Sequence, residues 1–270
     1  MVLDLFKSRR RARLRDQPGP VAWREILERN LPIFTRLTSA DQTELLGHTQ
    51  VFLAEKRFEG CGGLELTDEI RVTIAGQACL LLLHRETDYY PDLISILVYP
   101  SGYTAREERH IGGGIWEEGD EDRLGHTGRR LGALVLAWDA VRHGAAAPTD
   151  GENLVLHEFA HQLDFENQSS DGTPALETRG DYLAWARVMS AEFNALRNAS
   201  AEGEEEETVI DDYGATNPSE FFAVITEAFF ERPRALRKRH PALFAQLQRF
   251  YRQDPTTYSL EQPIAAEANR

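Results

Sequence analysis

Two histidines and a glutamate near the middle of the chain have the spacing of a metal site. His157 and His161 are four residues apart, and Glu158 directly follows the first of them. On an α-helix, side chains four apart lie one turn above each other on one face, where two imidazoles can bind one metal ion. The carboxylate of Glu158 then lies beside the metal, where a base for a metal-bound water must stand. The pattern predicts a hydrolytic metal centre.

The stretch around these residues also predicts a helix on independent grounds. Asn153 is a favoured N-cap residue. Apolar side chains then recur at helical spacing, at Leu156, Phe159, Ala160 and Leu163. The alternative is an amphipathic helix that carries two histidines by chance. The capped helical context favours the metal site, because a His-Glu-x-x-His motif requires a helix.

A catalytic zinc site uses three protein ligands and keeps a fourth position for water, so one more ligand is needed. A metzincin would have Gly and His three and six positions after His161, but Asp164 and Asn167 stand there. The metzincin class is therefore excluded. In the class with two histidines and a glutamate, the third ligand comes from another part of the chain.

The helices predicted after the motif carry four candidate glutamates, which are Glu192, Glu220, Glu227 and Glu231. Glu220 and Glu227 are seven residues apart and share one helix face. Glu220 also fits a different role, as the capping partner of Asn217 at the start of its helix. Spacing alone makes Glu220 the leading candidate, with Glu227 and Asp164 as further ligands or as residues that support a ligand.

Length, charge and cysteine content limit the function classes. The 270 residues can bury a full core, as one large domain or two lobes. A formal net charge of −14 argues against general nucleic-acid binding, which needs a basic face. The longest apolar stretches are too short to cross a bilayer. Cys61 and Cys79 cannot form a disulfide framework, and no signal-peptide pattern follows the basic start, so we expect a cytoplasmic protein.

The two ends and one internal run differ in composition from the rest of the chain. Residues 1–20 are basic and are expected to form a flexible tail. The acidic run at Glu202 and residues 204–207 is expected to be a solvated loop. Residues 257–270 are expected to form a second tail. The remainder, 21–256, is predicted to be one catalytic domain, with an N-terminal part at 21–130 and a catalytic part at 131–256.

The apolar patterns predict an α+β fold with helical N-terminal and C-terminal parts and a small sheet beside the active-site helix. Besides the motif helix, helices are expected at 21–30, 39–52 with a capping box at its start, 68–83, 182–196, from 218 onward and 241–251. Strands are expected at 93–99 and 134–138, with a hairpin or loop at 111–128. The strand from Leu134 to Ala137 could accept an extended substrate by strand addition.

Four stretches of the chain resemble the Mlc titration factor A family, namely residues 157–164, 212–224, 227–230 and 250–255. That family consists of bacterial cytosolic zinc peptidases of the gluzincin type, related in their catalytic core to the anthrax lethal factor protease. The resemblance implies a zincin-like fold that binds one Zn²⁺ per chain. It also implies that His157, His161 and Glu220 bind the zinc, that Glu158 is the base, and that Tyr213 assists at the substrate oxyanion.

The resemblance implies a zinc-dependent peptidase that acts on a peptide or protein, and aminopeptidase-like and internal cleavage both stay open. The alternative is a regulatory protein that binds and sequesters a transcriptional repressor, because the family name describes titration of the glucose-related repressor Mlc. A structural zinc site and a metal-free helical scaffold are further alternatives. The family pattern commonly has Asp where this chain has Asn217, which keeps a helix-capping residue.

Overall fold

Ten helices and six strands make up the part of the chain that the computed structural model describes, which is residues 2–110, 116–123, 125–128, 132–202 and 209–260. The helices are α1 Val2–Asp16, α2 Val21–Asn30, α3 Ser39–Glu55, α4 Asp68–Leu80, α5 Trp138–Ala146, α6 Leu154–Phe165, α7 Arg179–Glu202, α8 Pro218–Glu231, α9 Pro233–Arg239 and α10 Pro241–Tyr251. The strands are β1 Arg57–Gly60, β2 Ser95–Tyr99, β3 Tyr103–His110, β4 Trp116–Arg123, β5 Gly125–Gly128 and β6 Ala133–Ala137. The predicted α+β class is confirmed.

The main sheet has four strands in the order β1-β2-β6-β5. The first three strands are parallel, and β5 is antiparallel to β6 at the edge. The strands β3 and β4 form a separate antiparallel hairpin. The hypothesis that residues 134–137 accept a substrate strand is wrong, because β2 and β5 already pair with the two edges of β6.

The helix α6 carries the histidine motif and begins where the sequence predicts. The side chain of Asn153 accepts a hydrogen bond from Leu156 N at 3.1 Å and so caps the helix. On the inner face of α6, the ring of Phe159 lies 5.7 Å from Phe52 and 4.8 Å from Tyr90, centroid to centroid. All three rings are buried. This aromatic contact fixes the rotation of α6, so that its histidines face α8.

The helix α4 is almost completely buried, in agreement with the predicted helix at 68–83, although it ends at Leu80. A Cβ added at Gly76 would lie 2.3 Å from Leu27 Cδ2 on α2. Glycine therefore allows α2 and α4 to approach more closely than any larger residue would. A glycine inside a helix normally costs stability, and here the close packing of the two helices requires it.

The prediction of a flexible basic tail is wrong for residues 2–16, which form α1 and contact α3. The guanidinium of Arg11 donates hydrogen bonds to Glu55 at 2.7 Å and to Asp88 at 2.5 Å. Lys7 also pairs with Asp88, at 2.8 Å. The two carboxylates are remote in sequence, so their pairing with the basic segment could not be inferred from composition.

Smaller differences concern helix ends and short elements. Thr38, rather than Ser39, caps α3 by accepting a hydrogen bond from Asp41 N at 3.1 Å. The Gln42 side chain instead donates to the carbonyl oxygen of Phe34, at 3.0 Å. The elements β1, α5 and α9 were not predicted. None of the described helices has the length and apolar character required to cross a membrane.

Three predictions fall wholly or partly outside the described residues. The predicted hairpin or loop at 111–128 is described only at 116–123 and 125–128, and both of these segments are strands. The acidic residues 204–207 lie outside, whereas residue 202 ends α7. Of the predicted C-terminal tail at 257–270, residues 261–270 lie outside, and residue 257 ends a short 3-10 turn that begins at Pro255.

We expect Gly76→Ala to lower the free energy of unfolding by about 1–3 kcal/mol, because the new methyl group would overlap Leu27. Gly180→Ala in the first turn of α7 is the matched control, since an added Cβ there would have its nearest contact at an ordinary 3.6 Å. Urea denaturation measures both. Equal stability of Gly76→Ala and wild type would contradict the close α2–α4 packing.

Candidate metal centre

The side chains of His157, His161 and Glu220 meet where α6 contacts α8. Glu220 Oε2 lies 3.1 Å from His157 Nε2 and 3.2 Å from His161 Nε2. Zinc binds nitrogen and oxygen ligands at about 2.0–2.2 Å in a tetrahedron, which places neighbouring ligand atoms roughly 3.3 Å apart. Both distances from Glu220 Oε2 have this spacing, and the three candidate ligand atoms all lie within 4.8 Å of one another. Two imidazoles with one carboxylate form a donor set that suits zinc.

The other candidate glutamates do not reach the two histidine Nε2 atoms. Glu192 accepts a hydrogen bond from His240 at 2.8 Å, away from the motif. Glu227 contacts the opposite nitrogen of His157, and Glu231 contacts Asn153. Of the four glutamates that the sequence left open, Glu220 is therefore the one that faces both histidines. Its role as a metal ligand stays a prediction.

The protonation of His157 and that of Glu220 depend on each other. Burial by itself lowers the pKa of His157, but hydrogen bonds with Glu220 and Glu227 outweigh it and raise that pKa to about 10. Burial by itself raises the pKa of Glu220, but hydrogen bonds from both histidines hold it well below its usual range. At neutral pH a metal ion must therefore displace a proton from His157 to bind there.

The Nδ1 side of His157 is fixed by a buried carboxylate. His157 Nδ1 lies 2.7 Å from Glu227 Oε1. The other carboxylate oxygen, Oε2, accepts a hydrogen bond from Asn153 N at 2.5 Å. When Nε2 binds a metal, Nδ1 carries the hydrogen and donates it to Glu227, which sets the orientation of the ring. The sequence prediction that Glu227 supports a ligand stays a prediction, and this contact is the one that it requires.

A second buried carboxylate, which the sequence analysis weighed only as a ligand, ties the start of α6 to α8 and α4. The Asn153 side-chain amide donates to Glu231 Oε1 at 3.0 Å and to Gln77 Oε1 at 2.9 Å. Gly151 N donates to Glu231 Oε2 at 3.1 Å. Burial raises the pKa of Glu227 and raises that of Glu231 well above its usual value. The signal in the sequence that could have identified this role of Glu231 is its position four residues after Glu227, on the same face of one helix.

The outer nitrogen of His161 is held by a serine that the sequence analysis missed as a site residue. His161 Nδ1 lies 3.2 Å from Ser219 Oγ, and Ser219 donates its hydroxyl hydrogen to Asp164 Oδ2 at 2.9 Å. Asp164 Oδ2 also accepts from Gly172 N at 3.0 Å. Asp164 is completely buried, and burial raises its pKa. A supporting role of Asp164 toward His161, through Ser219, stays a prediction.

Gly172 is at a position where only glycine fits. Its φ angle is +74°, and an added Cβ would lie 2.2 Å from the carbonyl oxygen of Pro218. This close approach lets the amide of Gly172 donate to Asp164 Oδ2, the same oxygen atom that accepts the hydrogen bond from the Ser219 hydroxyl. The loop after α6 is therefore fitted against the first turn of α8.

Glu158 and Tyr213 lie beside the candidate ligands. Glu158 is only 6% exposed, and its negative charge contributes to the raised pKa of His157. Tyr213 lies in a 3-10 turn that Asp211 caps by accepting a hydrogen bond from Tyr213 N at 2.8 Å. Its ring centroid is 6.1 Å from that of His157, and the side chain is 54% exposed. The ring of Tyr213 is therefore not packed into the core and remains accessible beside His157.

We expect Ser219→Ala to weaken zinc binding roughly 10- to 100-fold, because His161 Nδ1 would lose its hydrogen-bond partner. Ser170→Ala is the matched control, since Ser170 Oγ contacts the same Ser219 hydroxyl at 3.1 Å but neither histidine. Competition with a chromogenic chelator measures both affinities. Wild-type affinity in Ser219→Ala would show that Ser219 does not orient His161.

Comparisons with known proteins identify the family of this chain. Residues 5–252 match the family model described as glucose-regulated metallo-peptidase M90. An uncharacterised protein of Synechocystis sp., slr2042, is 40% identical over 246 residues, which cover 91% of this chain and 89% of the relative. Mlc titration factor A of Klebsiella pneumoniae is 32% identical over 92% of both chains, and that of Salmonella schwarzengrund is 31% identical over 87% and 86%. The chain belongs to the glucose-regulated metallo-peptidase M90 family.

Proposed function

We propose that this protein is a zinc-dependent peptidase, in which His157, His161 and Glu220 hold one zinc ion. One observation carries the proposal: a single carboxylate oxygen of Glu220 lies within 3.2 Å of the Nε2 atoms of both histidines. Glu158, on the same helix as the histidines, adds a buried carboxylate beside them. The M90 family assignment supports metallopeptidase chemistry.

The residues around this centre would share the work of hydrolysis. When bound, zinc acidifies a coordinated water and polarises a carbonyl group. Glu158 takes the proton of the attacking water and delivers it to the leaving amine. The Tyr213 hydroxyl, on an exposed side chain beside His157, donates a hydrogen bond to the carbonyl oxygen as negative charge develops there. Glu227 and Ser219 keep the two imidazoles in the tautomer that leaves Nε2 available.

A peptide substrate would pair with the edge strand β5, Gly125–Gly128, rather than with the interior strand β6. The strand β5 contacts α6, and its second edge is not paired with any described strand. Backbone pairing of this kind fixes an extended peptide and suits both internal and aminopeptidase-like cleavage. Cys61 and Cys79 are free thiols, in keeping with action in a reducing cytoplasm.

We expect Glu158→Gln to lower peptide hydrolysis roughly 10²- to 10⁴-fold, because the amide cannot accept a proton from water. The zinc content should stay at one ion per chain, since Glu158 is not a proposed ligand. A panel of chromogenic aminoacyl and internally cleaved peptide substrates measures the activity and the cleavage preference. Glu152→Gln, an exposed residue just before α6, is the control.

Three results of that experiment would count against the proposal. Hydrolysis by Glu158→Gln at the wild-type rate would show that Glu158 is not the base. Zinc binding without hydrolysis of any substrate by wild type would argue for a regulatory protein. A wild-type chain that binds no zinc would exclude the metal centre itself.

We expect Tyr213→Phe to lower kcat roughly 10²- to 10³-fold with little change in zinc content, because the variant lacks the hydroxyl that stabilises the oxyanion. Tyr182→Phe is the control, since Tyr182 is also a partly exposed tyrosine but contacts the backbone of Leu176. Steady-state kinetics on the best substrate of the panel separate kcat from KM. An unchanged kcat would show that the Tyr213 hydroxyl does not stabilise the oxyanion.

A second candidate function is the binding of a transcriptional repressor. Relatives that cover most of this chain carry the name Mlc titration factor A. We propose that repressor binding uses a surface that does not depend on the base. Glu158→Gln should then bind purified Mlc as wild type does, in a calorimetric titration. If neither protein binds Mlc, the repressor of this chain is not Mlc and the second function loses its support.

A further inference from the structure

A cavity of about 540 Å³ lies apart from the candidate metal centre. It is enclosed by α7, α10, the segment after α4 and the loop after α6. Its described lining includes neither the three candidate ligands nor Glu158 or Tyr213. Pockets that bind small molecules commonly have volumes of about 300–1,000 Å³. The cavity is thus large enough for a small organic ligand.

One wall of the cavity is aromatic. Trp185 and Phe250 line it, with ring centroids 5.6 Å apart. Trp185 is 2% exposed, and its Nε1 donates to the carbonyl oxygen of Gly172 at 3.0 Å, so the indole is held in place. Such a wall offers a fixed apolar surface to a flat or hydrocarbon group.

Arg85 contributes a charge to the same cavity. Its guanidinium carbon lies 4.1 Å from the ring centroid of Phe250 and 6.0 Å from that of Tyr251. Its Nη1 atom is buried and has no hydrogen-bond partner among the described residues. Burial lowers the pKa of Arg85, and the charge of Glu166 opposes this without a direct ion pair. An arginine with a buried nitrogen normally pairs with a carboxylate, and the half-buried Arg85 has no such pair in the described structure.

The remaining charges of the cavity are balanced in pairs, apart from the exposed Glu86. Arg249 pairs with Asp181 at 2.6 Å, and Arg252 pairs with Glu177. The two charges of each pair neutralise each other, and all of these side chains are exposed except that of Asp181, which is 13% exposed. Arg85 is consequently the cation of this cavity that no direct carboxylate contact neutralises within the described structure.

We propose that this cavity binds a small organic anion, whose carboxylate or phosphate pairs with Arg85 while its apolar body packs against Trp185 and Phe250. The planar fork of arginine donors matches both kinds of anionic group. The site goes beyond the proposed peptidase function and does not depend on it. Its failure would leave the metal centre untouched.

Calorimetric titration of the zinc-loaded wild-type protein with 3-phenylpropionate and with phenyl phosphate tests the proposal. We expect saturable one-to-one binding of at least one of them at millimolar concentration. The neutral analogue 3-phenylpropanamide should bind roughly 10- to 100-fold more weakly, as expected for loss of a charge-assisted hydrogen bond. Absence of binding by both anions, or equal binding of the acid and its amide, would overturn the proposal.

Variants of the cavity locate the binding. Arg85→Gln should weaken anion binding roughly 10- to 100-fold. Ala175→Trp should block it from the exposed rim without touching Arg85, which guards against a folding defect in the first variant. Arg24→Gln is the matched control, because Arg24 also lies over a phenylalanine ring, at 5.5 Å, but outside the cavity. Binding that survives both cavity variants would place the anion elsewhere and overturn the proposal.

Discussion

The candidate metal centre depends on one constraint, the concentration of carboxylates around two histidines in the protein interior. Glu158, Asp164 and Glu227 are buried, and Glu220 is half-buried. Removing carboxylates from water is costly unless hydrogen bonds or positive charges offset the loss. The imidazole nitrogens, the backbone amides of Asn153 and Gly172 and the hydroxyl of Ser219 provide these bonds. A bound dication would add the positive charge that the arrangement favours.

The helix pair α6 and α8 meets this constraint through packing on its far side. Phe159 fixes α6 against Phe52 and Tyr90, and Phe222 fixes α8 against Trp185 and Phe250. The polar faces of the two helices therefore contact each other. Asn153 bonds to Glu227 and Glu231 at one end of this contact, and Ser219 bonds to His161 and Asp164 at the other. Two aromatic clusters on the far sides of the helices thus hold the candidate ligands in their relative positions.

Much of this arrangement could be predicted from local sequence rules. The N-caps Asn153 and Asn217, the four-residue histidine spacing and the apolar stripes all act within one helix, where the chain itself sets the geometry. The candidate third ligand, by contrast, lies on another helix. Sequence spacing could therefore rank Glu220 first among several acidic residues but could not select it. The contact of Ser219 with His161 could not be predicted, because serine is common in the first turn of a helix. Its orientation also depends on a hydrogen bond to Asp164, 55 residues away. The helix α1 and the edges of β6 likewise depend on partners that are distant in sequence.

Gly172 shows how far the centre extends beyond the residues that would touch a metal. Its amide bonds to Asp164, its carbonyl accepts from Trp185, and its left-handed backbone presses against Pro218. Every missense change at that codon adds a Cβ where a carbonyl oxygen is only 2.2 Å away. A lineage could therefore lose the metal centre through a mutation that leaves the whole His-Glu-x-x-His signature intact. A chain that keeps the signature but lacks this glycine should not be counted as an active peptidase on the signature alone.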